Sequence, residues 1–556
     1  MKLVIVGGVA AGATAAARAR RLDEDASITI VEKGPYVSFA NCGLPYRLSG
    51  DIAKRSALIL QTADGFFSRY RVDVALKTEA LAIDRANKTL LVRGPEGERG
   101  IPYDKLILAQ GGTPFVPKVE GADSPNVFRL WTIPDMDAID AYIAANGVKS
   151  AVVVGGGFIG LESAEAFIKR GLATSVIELT DQLMPPADFE FGAQIAAAFA
   201  EAGAAVHVKR SLARIDAANR RVVLDDGTIV AADLVLMAAG VRPNTDLAKA
   251  AGLAIGASGG LLVDDRLFTN DPDILAAGDM IEVTRRVDGA KVRIPLAGPA
   301  NRQGRIAATN ALGGSMKYSG ALGTSVFKAV DYTFAQTGLS EKAALAAGLK
   351  VRAVHVHRPH HASYYPGHSL LSLKLVYGED GRLLGAQAFG KEGVEKRIDV
   401  LATALAARMS LADLAELDLS YAPPYSSAND PLQMAAFAAQ NDLSGYSRTF
   451  SPGQAALMAA KGVQDVVFVD VRTFGEYLKG HLAGTIHIPL DELRDRADEL
   501  PKGATLVLLS IAGFEGHVGL RILKQMGFAD VAYVSGGITS MRLFGGFAEE
   551  EGEAQP

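Results

Sequence analysis

One pattern constrains this chain more than any other, because it occurs twice: a short apolar strand, a glycine-rich turn, a helix, and a second strand ending in glutamate. The first copy is "LVIVGGVAAGATAAARARR" followed by "ITIVEKG"; the second is "SAVVVGGGFIGLESAEAFIKRG" followed by "SVIELT". Duplicated βαβ units of this kind mean two dinucleotide sites, or one dinucleotide and one flavin dinucleotide. In the second copy Gly155, Gly157 and Gly160 match G-x-G-x-x-G. The first glycine permits the tight turn. The second lets a pyrophosphate approach the backbone at a helix N-terminus, and the third allows close helix–strand contact. Glu178, 18 residues beyond Gly160, stands at the distance where an acid grips ribose hydroxyls. A carboxylate there repels a 2′-phosphate, so NADH is expected over NADPH.

The first copy departs from the pattern. Gly7 and Gly12 hold the outer positions, Val9 takes the middle one, and Gly8 beside it is expected to supply the missing backbone freedom. Glu32 follows Gly12 by 20 residues, again at ribose distance. The position of this unit, and the later "DPDILAAGDM" with Asp279, argue for FAD here. The opening "MKLVIVGGVAAGATAAARAR" also has the outline of a secretory signal. The fingerprint that continues to Glu32 argues instead for strand, turn and helix.

The strand-like segments "YDKLILAQGGTPFVP" and "ADLVLMAAGVRPNT" close the two units. The return at "DPDILAAGDM" makes the first domain discontinuous: residues 1–115 and 246–325 as an FAD-binding domain, with 116–245 inserted as the NAD-binding domain. Residues 326–445 alternate strands and end in "KRIDVLATALAARM", which reads as a smaller α+β domain. Residues 446–550 again alternate strand and helix as a separate α/β domain. The tail "AEEEGEAQP" is expected to be disordered.

The chain has one cysteine, Cys42, in "YVSFANCGLPY". A single thiol excludes an intrachain disulfide and any all-cysteine metal cluster, and fits a reducing, cytoplasmic compartment. No metal site is expected. The net charge of −5, without a long basic run, points away from nucleic acid, and no uncharged apolar run reaches membrane-spanning length.

With "GGVAAGATAAARARRL", "SFANCGLPY", "VVVGGGFIGLE", "AGVRPNT", "YYPG", "GKEGVEKRIDV" and "YAPPYS", residues 1–445 resemble the two-dinucleotide-binding-domain flavoprotein disulfide reductases, and within them the coenzyme A disulfide reductases. The C-terminal "VDVRTFGEYLKGHLAGTIHIPLDEL", "LLS" and a late "GG" resemble a rhodanese module. That order resembles the rhodanese-fused members, which include NADH-dependent persulfide reductases. The resemblance implies an α/β fold: two Rossmann-like domains for FAD and NAD, an α+β dimerisation domain and a C-terminal rhodanese-like domain.

It also implies FAD, NADH and coenzyme A as cofactors, a homodimer, and a sulfur substrate: coenzyme A disulfide, coenzyme A persulfide or polysulfide. Cys42 would be a single redox cysteine forming a mixed disulfide with coenzyme A. A thiolate serves there as both nucleophile and leaving group. Tyr364 and Tyr421 would approach its sulfur, the second from the partner subunit. Gly7, Gly8, Gly12, Glu32, Lys33, Gly111, Gly278 and Asp279 would hold FAD. Coenzyme A would meet Thr14, Arg18, Arg21, Ser38, Asn41 and Asn301, the arginines serving its phosphates. Asn429 stands where relatives can carry a substrate-binding lysine.

The rhodanese-like segment departs from its own pattern. Its loop normally runs C-x-x-G-x-R; here the matching residues are Ser510, Gly513 and Glu515. Serine cannot carry sulfane sulfur, and glutamate repels an anionic sulfur species. This domain is therefore expected to be catalytically degenerate. Two rival readings are an NADH oxidase or peroxidase, with Cys42 cycling through sulfenic acid, and a sulfur-binding or sensing module built on the C-terminal domain.

Overall fold

The structure is a computed structural model that describes residues 1–546 and 548–550. It divides into two compact units, one of residues 1–183 and 199–323 and one of residues 184–198 and 324 onward.

The first unit holds two five-stranded sheets. One runs Ile274–Ala276, Lys105–Leu108, Lys2–Val6, Ser27–Val31, Val72–Ala75, and the other Ala205–Val208, Ala173–Glu178, Ser150–Val154, Leu234–Met237, Val127–Phe128. Every pairing in both is parallel. Parallel sheets are covered on both faces, so their strands read as unbroken apolar runs. "VVV" at 152–154 and "LVIV" at 3–6 are buried on both sides accordingly. The "MKLVIV" segment is thus the central strand of its sheet, and the sheet's edge strand Ile274–Ala276, paired with Lys105–Leu108, follows the second sheet in the chain.

Each glycine-rich turn leaves the central strand of its sheet and enters a helix. The first helix is α1 (Ala10–Arg20). Cys42 lies in a single 3-10 turn, Asn41–Gly43, that runs into the short α2 (Leu44–Leu48). The second glycine-rich turn opens α3 (Phe158–Lys169). A later helix, α4 (Ala297–Ala311), packs along α1 so closely that a Cβ on Gly304 would sit 2.2 Å from the Ala11 carbonyl oxygen.

The second unit begins with an antiparallel five-stranded sheet, ordered Ser325–Ala329, Tyr332–Gly338, Leu383–Gly390, Leu370–Gly378, Val351–Pro359. Lys374, almost fully buried in it, meets three carboxylates: Glu190 at 2.6 Å, Glu341 at 2.7 Å and Asp188 at 3.0 Å. Removing one member of such a buried ion network leaves an uncompensated charge, at a cost of about 3–5 kcal/mol.

A parallel sheet follows, ordered Thr449–Phe450, Val531–Val534, Thr505–Leu509, Val466–Asp470, Ile486–His487. It is tied to the antiparallel sheet by buried hydrogen bonds. The His355 N–H donates to Ser535 Oγ at 2.8 Å, and His357 Nε2 pairs with Ser540 Oγ at 2.6 Å.

Where the tail is described, it departs from the expectation of disorder. Glu549 and Glu550 form a short strand against His481–Leu482, because an exposed edge offers them backbone partners. Residues 551–556 lie outside the described residues. No described helix is long and apolar enough to cross a membrane.

Candidate active site

The two glycine-rich turns repeat one geometry. Gly7 and Gly155 have φ of +97° and +113°, and a Cβ on either would lie 2.3 Å from a carbonyl oxygen, of Ala109 and Ala238 respectively. A Cβ on Gly12 or Gly160 would fall 1.8 Å or 1.9 Å from the oxygen of Gly7 or Gly155. Each turn therefore admits only glycine at its first and third positions.

At the middle position they part. A Cβ on Gly157 would meet nothing within 4 Å, leaving open space before the first turn of α3. Val9 occupies that position in the first turn. The freedom expected of Gly8 is not what the site uses, since its φ lies outside the left-handed region. What it supplies is room: a Cβ there would come within 2.7 Å of Val37.

Both ribose-distance glutamates brace their own turns. The Gly8 N–H donates to Glu32 Oε2 and the Gly156 N–H to Glu178 Oε2, each at 2.8 Å. Glu32 also accepts from the Gly34 N–H, and Glu178 from the Thr180 N–H and hydroxyl. Carboxylate oxygens have further lone pairs, so each can still accept from ribose hydroxyls. Asp279 follows Gly278, whose φ is +87°, at the end of the strand Ile274–Ala276. It is half-buried, and burial raises its carboxyl above the ordinary value. Gly111 takes a φ of +61° after the strand Lys105–Leu108. Lys33 is exposed and ion-paired with Glu79. An open approach to one turn, a helix N-terminus at each and an acid beside each fit an adenine dinucleotide in both.

Residues far apart in sequence meet where α1 and α4 run together. The Thr14 hydroxyl donates to Asn301 Oδ1 at 2.7 Å, and Arg18 Nε donates to Thr309 Oγ1 at 3.2 Å. Arg21 is exposed at the end of α1. Its neighbour Arg20 is different: its guanidinium is buried and donates to the carbonyls of Tyr70, Asp23, Glu24, Ala26 and Arg71. Arg20 holds the domain together, whereas Arg21 is exposed and Arg18, half-buried, is steadied by Thr309.

Ser38 adopts a left-handed φ of 47°, an uncommon conformation for a residue with a side chain. Its N–H donates to the Gly8 carbonyl and its own carbonyl accepts from Leu60, which fixes the segment beside the first turn. Asn41 Oδ1 then accepts from the Cys42 N–H at 3.0 Å. Cys42 is exposed. Partial desolvation of its sulfur, with the Glu162 and Asp279 carboxylates nearby, holds the thiol above the usual cysteine value.

Glu162 and Tyr46 were not singled out from the sequence. Tyr46 Oη donates to Glu162 Oε1 at 3.0 Å, joining α2 to α3 across 116 positions. Glu162 was readable in principle, because it follows Gly160 by two residues and so sits in the first turns of the helix that faces the dinucleotide.

In the second unit the Tyr364 and Tyr421 hydroxyls lie 3.0 Å apart on exposed side chains, and Asn429 is exposed. The loop with Ser510 precedes α5 (Phe514–Gln525). Ser510 is 1% exposed, and its Oγ accepts from the Gly513 N–H at 2.9 Å. The donor that would cradle an anion is therefore engaged by the serine itself. Beyond the loop is a cavity of about 700 Å³ bordered by Gly513, Phe514, Glu515, Phe437 and Arg358. Arg472, which also borders it, forms a buried pair with Asp470 at 2.6 Å.

Comparison with known proteins places these features. Residues 1–304 match the family described as pyridine nucleotide-disulphide oxidoreductase, 324–431 its dimerisation domain, and 452–542 the rhodanese-like domain. The chain is 35% identical over 450 residues to an NADH oxidase of Methanocaldococcus jannaschii, covering 80% of this chain and 100% of that one. It is 34% identical over 444 residues to a coenzyme A disulfide reductase of Staphylococcus aureus, covering 79% and 100%. Among solved structures, reduced Bacillus anthracis CoADR-RHD superposes with a TM-score of 0.95 at 39% identity, covering 98% of both chains. A NAD-dependent persulfide reductase from A. fulgidus superposes with a TM-score of 0.91 at 37% identity, covering 97% of this chain and 100% of that one.

Proposed function

The chain belongs to the pyridine nucleotide-disulphide oxidoreductases, and from that premise we propose that it is an FAD-dependent reductase that uses NADH to reduce coenzyme A disulfide, coenzyme A persulfide or polysulfide through Cys42 alone. The observation that carries this reading is the setting of the only cysteine. It is exposed, in a segment whose Ser38 N–H donates to the Gly8 carbonyl of the first glycine-rich turn, and that turn leads into α1, which together with α4 carries Thr14, Arg18, Arg21 and Asn301. The names of relatives that span most or all of this chain, a coenzyme A disulfide reductase and a persulfide reductase, agree with it.

FAD, when bound, would pass the electron pair of NADH to a sulfur–sulfur bond. The protein's part is as follows. The Cys42 thiolate attacks one sulfur of coenzyme A disulfide, forming a mixed disulfide and releasing a coenzyme A thiolate. Two electrons then break the mixed disulfide, returning the Cys42 thiolate and a second coenzyme A thiolate, which takes up a proton. Arg18 and Arg21 hold the phosphates, and Ser38 and Asn41 border the sulfur. Glu32 and Asp279 serve the flavin dinucleotide; Glu178 grips the NADH ribose and disfavours a 2′-phosphate. Because the Tyr364 and Tyr421 hydroxyls lie 3.0 Å apart in one chain, both, rather than Tyr421 alone, would act on the partner: in a homodimer assembled through the antiparallel sheet the pair would donate a proton to the partner subunit's departing coenzyme A thiolate.

A second reading, an NADH oxidase or peroxidase with Cys42 cycling through sulfenic acid, is favoured by the name of the Methanocaldococcus jannaschii relative. Anaerobic NADH turnover with coenzyme A disulfide, coenzyme A persulfide, polysulfide or peroxide separates the two. Turnover with the coenzyme A substrates supports the first; rapid turnover with peroxide alone overturns it. NADPH used as efficiently as NADH would remove the role given to Glu178, and a fully active monomer in light scattering would remove the dimer.

A further inference from the structure

The two loops that carry the exposed tyrosines are pinned from beneath by one buried arginine. Tyr364 sits in residues 360–369, which join the strands Val351–Pro359 and Leu370–Gly378. Tyr421 sits in residues 416–430, between the helices Leu411–Ala415 and Pro431–Leu443. Both side chains are exposed, so neither ring anchors its own loop by burial, yet their hydroxyls lie 3.0 Å apart. The anchor is Arg397, 2% exposed, on the helix Val394–Ala407. Its Nη2 donates to the His360 carbonyl at 2.7 Å, at the base of the first loop, and to Ser426 Oγ at 3.3 Å in the second. Nη2 and Nε also donate to the Asp430 carboxylate at 2.9 Å and 3.3 Å, and Nη1 to the Gly393 carbonyl at 3.0 Å. Asp430 accepts in turn from Ser426 Oγ at 2.6 Å and caps the helix Pro431–Leu443. Above this the loops touch directly, the Ala362 N–H donating to the carbonyls of Ser426 at 3.1 Å and Pro423 at 3.3 Å. Gly393 makes room for the guanidinium, since a Cβ there would fall 2.2 Å from Arg397 Nη1.

A buried ion pair adds little stability over apolar residues of the same volume. What a planar guanidinium adds is geometry, because its rigid fork holds several acceptors in fixed directions at once. We propose that Arg397 is a positioning residue for the tyrosine pair: by tying the base of one loop to the middle of the other, it sets the separation at which Tyr364 and Tyr421 work as one proton-donating unit. The inference rests on the reading of these tyrosines as donors to the partner subunit's departing thiolate, and adds to it the group that keeps them in register. In that step one phenol O–H bond breaks, its proton passes to the coenzyme A sulfur, and the bonding pair stays on the tyrosine oxygen. The second hydroxyl donates to that oxygen until water returns the proton. Loops that drift apart lose this support, whichever tyrosine gives the proton.

The experiment is a double-mutant cycle on the FAD-loaded dimer, read as the rate at which NADH-reduced protein is reoxidised by saturating coenzyme A disulfide. Tyr364→Phe with Tyr421→Phe should slow this step about 100-fold, the scale of a lost general acid. Arg397→Lys keeps a cation beside Asp430 but cannot reach His360 and Ser426 together. It should slow the step about tenfold, as a displaced donor does. Added to the two Phe changes, it should cost less than about twofold more, because the groups it positions are gone. Flavin reduction by NADH, which precedes the proton step, should keep its native rate in every variant. Ser426→Ala removes one contact only and should slow reoxidation about threefold, a loss that also vanishes in the Phe background. It decides alone should Arg397→Lys not assemble as a flavin-loaded dimer. Losses that multiply through the cycle, or native reoxidation in Arg397→Lys, overturn the proposal while leaving the tyrosines their role. Native reoxidation in the two-Phe variant removes that role, and the proposal with it. The functional reading fails separately, if Cys42→Ser keeps its turnover of coenzyme A disulfide.

Discussion

Two loops in this molecule carry the positions at which sulfur chemistry was expected from the sequence, and they differ in what their backbones are left free to do. At Cys42 the side chain is exposed, and its own N–H is capped by Asn41. At Ser510 the side chain is buried, and its hydroxyl engages the Gly513 N–H that would otherwise face an anion. The first loop spends its hydrogen bonds on positioning the segment, and its thiol, which donates to Asn41 Oδ1 at 3.7 Å, stays exposed. The second closes on itself. Replacing sulfur by oxygen does more than remove a nucleophile, because a hydroxyl is the better hydrogen-bond acceptor and so takes up the cradle. Activity at such a loop depends on which group the backbone donors are left to serve.

The sharpest test of this contrast is Cys42→Ser, which should lower coenzyme A disulfide turnover by at least about 10³-fold while flavin absorbance stays. Steady-state NADH oxidation measures it, and a variant keeping most of its rate would remove the single-thiol mechanism. A smaller effect is expected from Arg18→Ala with Arg21→Ala. Losing charge-assisted contacts to phosphate should cut kcat/KM for coenzyme A disulfide by about 10-fold to 100-fold, mostly through KM. An unchanged KM would place the phosphates elsewhere.

Restoring the second loop comes next. Thiosulfate:cyanide sulfurtransfer should be undetectable in the native protein and in Ser510→Cys alone. It should appear, weakly, when Glu515→Arg is added, since low-pKa cysteines need a positive surrounding. Ser510-dependent thiocyanate from the native protein would reverse the contrast. The least effect belongs to Ser510→Ala. It leaves the Gly513 N–H without its acceptor, so denaturant unfolding of the C-terminal domain should be easier by about 1–3 kcal/mol. Coenzyme A disulfide turnover should not change.

Much of this was readable from residue spacing, and the exceptions have physical causes. The glycines at 7, 12, 155 and 160 announce themselves because nothing else fits where a Cβ would strike a carbonyl 1.8–2.3 Å away. Gly8 looked like a source of backbone freedom; it turned out to be a matter of room beside Val37, which no local pattern reports. Arg20 stands between Arg18 and Arg21 in one basic run, yet helical periodicity turns it inward to five carbonyls, a fate set by loops 50 positions away. The Tyr46–Glu162 bond spans two domains' worth of chain, and only the fold brings its partners together. The strand at Glu549–Glu550 was missed because a run of acids signals solvation, while an open sheet edge takes any backbone.

The edge strand Ile274–Ala276 has a consequence for how the molecule comes into being. On the ribosome, the first sheet has four of its strands once residue 108 has emerged, but its last one is made only after the whole second sheet, whose strands all lie between residues 127 and 237. During that interval the strand Lys105–Leu108, apolar and lacking its outer neighbour, is an open template for stray pairing. The inserted domain can finish first, and its completion brings the chain back to close the exposed edge. The order of synthesis therefore makes the second dinucleotide domain a folding companion of the first, and slow or truncated synthesis between residues 108 and 274 should favour aggregation over a stable fragment.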